Sequence, residues 1–186
     1  MGLDALVFCD CYAKDRLIKL PPHNIALKVE PDGGLAPKSE SELPLEAVLD
    51  FDQWLENEAC EHPGGILLHH RIGNIAQVAR LRGEISRESS RFQFILSKVI
   101  HNGVHCGDSI ALEVIPKLEN ELAALEEFTV TDQLPESSPR WLNVVRRWFQ
   151  KPWERLKFRR DAIDDFRTQL TELVAAAKEM NKPIVF

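Results

Sequence analysis

The stretch Cys60-Glu61-His62-Pro63-Gly64-Gly65-Ile66-Leu67-Leu68-His69-His70-Arg71-Ile72-Gly73-Asn74 constrains this chain more than any other. Pro63-Gly64-Gly65 interrupts what precedes it, and Ile66 to Ile72 is short and apolar enough for a strand buried on at least one face. Side chains two apart share a face of a strand, so His70 goes with Ile66, Leu68 and Ile72 toward the core, and His69 goes with Leu67 and Arg71. Asn74 follows Gly73 as an N-cap, and Ile75, Val78, Ala79, Arg82 and Ile85 have helical spacing. A strand that ends at a helix N-terminus places backbone N–H groups where ligands often bind.

Upstream, Leu3 to Tyr12 reads as a strand with Ala5, Val7, Cys9 and Cys11 on one face and Leu6, Phe8, Asp10 and Tyr12 on the other. Apolar character on both faces predicts a place inside a sheet and requires a partner for Asp10, for which Arg71 and the histidines are candidates. Ile25, Leu27 and Val29 alternate with polar or small residues as a second strand, closed by the turn Pro31-Asp32-Gly33-Gly34. Residues 35–43 read as a surface loop. Pro44 suits the first turn of a helix carrying Val48, Phe51, Trp54 and Leu55 on one side.

Downstream, Phe92, Ile95, Leu96, Val99 and Ile100 form a helical stripe that Asn102-Gly103 would stop. Val104 to Ser109 is a tight connector. A helix follows with Ile115, Leu118, Leu122, Leu125 and Phe128 on one side and Pro116 in its first turn. Helices are expected over Arg140–Gln150 and Trp153–Met180, the second with Leu156, Ile163, Phe166, Leu170, Leu173 and Ala177 aligned. Ile184-Val185-Phe186 reads as an edge strand. This order predicts a single α+β domain, a small mixed β-sheet covered by several α-helices. Its parts are an α+β core over 1–128, a linker over 129–139, and C-terminal helices with a terminal strand over 140–186, packed on the same domain.

At 186 residues and 44% hydrophobic the chain suffices for one sizeable core. No run of eighteen apolar residues spans a membrane, and Met1-Gly2-Leu3-Asp4 has neither a basic region nor an apolar leader, so the chain reads as soluble and cytoplasmic. Leu6 stands where a myristoylation signal needs a hydroxyl. No glycine-rich nucleotide motif is present.

Nine of the ten Cys and His residues fall in four short stretches: Cys9/Cys11, Cys60/His62, His69/His70 and His101/His105/Cys106. Thiolate and imidazole are the preferred donors of zinc, and a fold can gather such pairs around one tetrahedral centre. Cys60, His62, His69, His105 and Cys106 are the metal candidates, with Cys9 and Cys11 in reserve. The blander reading makes Cys9 and Cys11 small core hydrophobes and His70 a hydrogen-bonded core histidine. A thiol active site would use Cys106 as nucleophile, His105, His69 or His101 as base, and Asp108 or Asp10 as orienter. Asp108 can equally cap a helical turn.

Met1-Gly2-Leu3-Asp4 leading to Cys9-Asp10-Cys11, then Ala59-Cys60-Glu61-His62, Leu67 to Asn74 and His105-Cys106-Gly107-Asp108, resembles a family of uncharacterised bacterial proteins over about two thirds of the chain. The layout is also similar to predicted immunity proteins of bacterial polymorphic toxin systems, a resemblance that implies binding to a toxin and no catalysis. The segment 140–160 departs from that pattern.

In that segment Arg140, Arg146, Arg147, Lys151, Arg155, Lys157, Arg159 and Arg160 face Glu154 alone, a net +7 in a chain of net −6, which leaves −13 elsewhere. Trp141, Val144, Val145 and Trp148 share helical spacing, and Trp153 follows. Trp141, Arg146, Arg147, Trp148, Arg159 and Arg160 are therefore partner-binding candidates, with a protein partner or self-association expected, since the acidic remainder would repel a nucleic acid. Two functions compete: a soluble bacterial binding protein without catalysis, immunity-like and suited to a basic partner, and a zinc- or thiol-dependent hydrolase. An enzyme should gather its donors in a concave pocket with an open position; a binding protein should leave them closed or scattered.

Overall fold

A computed structural model of the chain describes residues 2–101, 108–128 and 152–186, the side chains at 40 and 152–159 excepted. Strand β1 (Gly2–Phe8) alternates as its sequence demands, with Leu3, Ala5 and Val7 buried. β2 (Leu27–Val29) and β3 (Leu35–Pro37) form a separate hairpin. Helix α1 (Leu45–Asn57) follows Pro44 and buries Ala47, Phe51 and Trp54. β4 (Ile66–Asn74) runs directly into α2 (Ile75–Ile85). β5 (Ser109–Ile110), α3 (Ile115–Glu126), α4 (Pro152–Met180) and β6 (Ile184–Val185) complete the described elements.

The strands lie in the order β4-β1-β6-β5, and every described pairing is antiparallel. The α+β class is as expected, but the sheet is not mixed. β1 and β4 form one long hairpin from Gly2↔Asn74 to Phe8↔Ile66, so everything between Cys9 and Gly65 is an excursion from that hairpin. α2, α3 and α4 pack with the sheet into the main core, which includes Leu3, Ala5, Val7, Val78, Phe92, Leu118, Phe166, Leu170 and Ile184. The α4 stripe Ile163, Phe166, Leu170, Leu173 and Ala177 is buried as its spacing predicts. The excursion has its own small core of Ile25, Leu27, Phe51, Trp54 and Ala59.

Several expectations change. The first strand ends at Phe8 instead of Tyr12, because the chain turns there: the Lys14 N–H donates to the Asp10 carbonyl and that of Arg16 to the Cys11 carbonyl. Asp10 is buried as expected, but its partners are Lys14 and Arg16, which the same turn brings back over it, and not Arg71. Leu35–Pro37 is a strand within what reads as a loop, drawn into pairing by the Pro31–Gly34 turn, where Gly33 has φ +94°. Asn74 caps α2 with a reciprocal bond to Gln77, yet that helix buries Val78, Leu81, Glu84 and Ile85 and leaves Ile75 outside. Around Ile95–Val99 the backbone widens into a π-helical turn, and the carboxylate of Glu121 accepts the N–H groups of Phe94 and Ile95 at 2.8 Å.

The terminal strand is interior, not an edge. Val185 pairs with both Leu6 and Ser109, which suits a run that is apolar on both faces. The stop at Asn102-Gly103, the linker and the helix at Arg140–Gln150 lie outside the described residues.

Candidate metal centre

Two short segments meet just beyond the last pair of the β1–β4 hairpin. On one side Cys9-Asp10-Cys11 leaves β1; on the other Cys60-Glu61-His62 leaves α1 and approaches β4. The Cys9 N–H donates to the Gly65 carbonyl at 2.8 Å, and the Gly65 N–H donates to the His62 carbonyl at 2.9 Å, which fixes one segment against the other. This return needs Gly64 and Gly65 at φ +62° and +68°, and a Cβ on Gly64 would come within 3.1 Å of the Glu56 carboxylate.

One ligand atom from each of Cys9, Cys11, Cys60 and His62 lies within 4.8 Å of all the others. Cys9 Sγ is 3.8 Å from Cys60 Sγ, Cys11 Sγ is 3.3 Å from His62 Nδ1, and Cys60 Sγ is 4.0 Å from the same nitrogen. A zinc tetrahedron with Zn–S near 2.3 Å and Zn–N near 2.0–2.1 Å has edges of about 3.8 Å between sulfurs and about 3.5 Å between sulfur and nitrogen. The observed spacings straddle these values. The three cysteines are free, and 3.8 Å is far from an S–S bond.

Burial pushes the Cys11 thiol up to about 12, and the neighbouring sulfurs of Cys9 and Cys60 add to the shift. Burial also raises Cys9, although a hydrogen bond from the Cys11 backbone opposes it. Crowded thiols that resist ionisation on their own, supported by a backbone donor, form a set that a cation would complete. Asp10 lies between two of them but turns away; hydrogen bonding from Lys14, and then from Arg16, holds its carboxyl below the usual range.

Of the sequence-derived metal candidates, Cys60 and His62 are in this group, joined by the reserves Cys9 and Cys11. His69 is not: on β4 its Nε2 is 3.6 Å from Oδ1 of Asp4 on β1, with the side chain half exposed. His70 turns to the helix side, where its Nε2 is 2.7 Å from Glu172 Oε2 of α4. His105 and Cys106 lie outside the described residues, as do Trp141, Arg146, Arg147, Trp148 and the side chain of Arg159, and Arg160 approaches Asp164 at 4.0 Å.

Of the catalytic candidates Cys106, His105, His69 and Asp108, only His69 and Asp108 are among the described residues, and they lie at opposite edges of the sheet. His69 is in register with Leu6, Leu6 with Val185, and Val185 with Ser109, so His69 and Asp108 belong to opposite edges, with three strand spacings, about 14 Å, between their backbones. That is too far for Asp108 to orient His69. A cavity of about 330 Å³ between β4, α2 and α4 is lined by Arg71, Gln77, Arg80, Glu84, Asp165 and Gln169 among others, and no Cys or His is in its described lining.

No protein-family model matches the chain, and neither a curated protein nor a solved structure is significantly similar to it.

Proposed function

We propose that this chain is a non-catalytic binding protein whose Cys9, Cys11, Cys60 and His62 hold one zinc ion in a closed structural centre. The observation that carries the reading is the convergence of four protein donors within 4.8 Å. Three thiolates and an imidazole match zinc in softness and number, and four protein ligands leave no coordination position for a water or substrate.

The location supports a structural role. Both segments belong to the neck of the excursion, so one ion ties its entry to its exit. The excursion's own core of five buried residues is small for a unit that must order so much chain, whereas the main core is extensive. Zinc binding free energy acts as folding free energy where the site does not exist in the unfolded chain. The acidic charge outside 140–160 suits a basic partner, and the immunity-like role implied by the sequence resemblance is one form of such binding. The chain has no described helix long and apolar enough to cross a membrane.

Cobalt substitution tests this reading against the hydrolase. A closed centre with three thiolates gives tetrahedral d–d bands and sulfur-to-cobalt charge transfer that do not change when azide or cyanide is added at moderate concentration. Bands that shift with the added anion, or that lack the sulfur charge transfer, contradict it.

A further inference from the structure

Among the described residues, large apolar side chains are left exposed almost entirely in one part of the molecule. Among the described residues Ile18, Leu20, Val29, Leu45 and Leu49 all belong to the excursion, and Ile75 alone does not. Leu45 and Leu49 are one turn apart on α1, at 74% and 58% exposure, diametrically away from the buried Ala47, Phe51 and Trp54. Asp52 and Glu56 continue the same stripe at helical spacing and Glu46 flanks it. α1 carries Glu46, Asp50, Asp52 and Glu56 and no Lys or Arg. Asp50 is occupied by His23 at 2.7 Å, but no described residue forms an ion pair with Glu46, Asp52 or Glu56.

The segment before the hairpin extends this surface. Trp54 Nε1 donates to the Lys19 carbonyl at 3.0 Å and Lys19 bonds Glu58 at 2.5 Å, which holds Leu20 and Pro22 beside Asp50 and Gln53 around a shallow hollow. Leu20 is 79% exposed at its rim.

We infer that the outer face of α1, with Leu45 and Leu49 set among Glu46, Asp52 and Glu56 and with Leu20 at its side, docks a basic amphipathic segment of a partner protein. Two apolar side chains one helical turn apart take the apolar stripe of such a segment, and the carboxylates that no described residue pairs take its Lys and Arg flanks. A second copy meeting this face with its own would oppose carboxylate to carboxylate, and an anionic membrane or nucleic acid would be repelled. The inference rests on the binding reading above and gives it a surface and a class of partner.

The test uses the full zinc-loaded chain and a labelled synthetic peptide of about 18 residues, lysine and leucine only, with leucines at i, i+3, i+4 and i+7 spacing. Metal content and circular dichroism are recorded on each sample, so that loss of the metal centre is seen separately from loss of docking. The expected dissociation constant is on the order of 10 µM at physiological salt. Leu45→Ser with Leu49→Ser, and separately Glu46→Gln with Asp52→Asn and Glu56→Gln, should each weaken it by about tenfold or more. Removing three exposed carboxylates elsewhere, Glu113→Gln with Asp161→Asn and Glu179→Gln, should change it less than about twofold. No binding by the wild type, or equal weakening by the remote triple variant, overturns the proposal. So does a concentration-dependent dimer that Leu49→Asp abolishes, which would assign the face to a second copy.

Discussion

Cys9 Sγ lies 3.8 Å from Cys60 Sγ although the two residues are 51 positions apart. The contact exists because Phe8↔Ile66 closes the β1–β4 hairpin just before both cysteines, so chain leaving and chain returning are already side by side. Replacing either cysteine removes a donor from a four-donor set. Cys9→Ser and Cys60→Ser should each weaken zinc binding by more than about a hundredfold, read by competition with a chromophoric chelator.

The two histidine classes separate cleanly. His62→Ala should weaken metal binding, and His62→Cys should retain a tetrahedral centre with a fourth thiolate. His69→Ala should leave metal content unchanged, because His69 of β4 sits beside Asp4 of β1. Equal metal loss in His62→Ala and His69→Ala would show that a different donor set is used.

Chelation should unfold the molecule in part. The main core contains no member of the donor group, whereas Ala59 of the small core adjoins Cys60 in sequence. Amide exchange after zinc removal should therefore accelerate over residues 12–59 while the protected amides of β1, α3 and α4 retain their rates. Uniform acceleration throughout, or none anywhere, would contradict the partition into two cores.

The thiols define a pH signature. In the metal-free chain Cys11 is raised from the ordinary value of 9.0 to about 12, mainly by burial. A raised folded value contributes stability that is fully present below about pH 9 and is lost as pH rises through about 12. Metal-free protein should thus lose stability over that window. Zinc-loaded protein should lose it less, its sulfurs being already ionised, while zinc affinity falls by roughly tenfold per pH unit for each thiol proton displaced as the medium is acidified below neutrality. Thermal unfolding with and without chelator from pH 6 to alkaline pH checks both signs.

Asp10 gives the opposite sign. Its carboxyl is held low by Lys14 first and Arg16 second, so its contribution is present above the ordinary carboxylate range and fades as pH falls through the lowered value. Because both cations are more than half exposed, Asp10→Asn should destabilise the chain by only about 1–2 kcal/mol near neutrality, measured by urea unfolding.

Much of this architecture is legible in the residues. The periodicity of α4, the Asn74 cap and the alternation of Leu3, Ala5 and Val7 each follow from local pattern, which is why the structure reproduces them. The face of α2 is legible in part: Val78 and Ile85 are buried as their spacing predicts, but Leu81 and Glu84 meet the core where Ile75 and Ala79 have the spacing. The interior place of Ile184–Val185 depends on which strands arrive beside it, a long-range fact no window contains. The donor set was half visible for the same reason. Cys60 and His62 stand out beside the Pro63–Gly65 turn, whereas Cys9 and Cys11 resemble core positions until β1 and β4 are known to pair. The signal that unites them is the shared gap of one residue in Cys9-x-Cys11, directly after β1, and Cys60-x-His62, one short turn before β4.

The most direct test is elemental analysis of protein purified without an affinity tag or added metal. The account predicts about one zinc per chain, lost together with the fourth donor in Cys9→Ser. Less than about a tenth of an equivalent of any transition metal, with thermal unfolding unchanged by chelator, would contradict it.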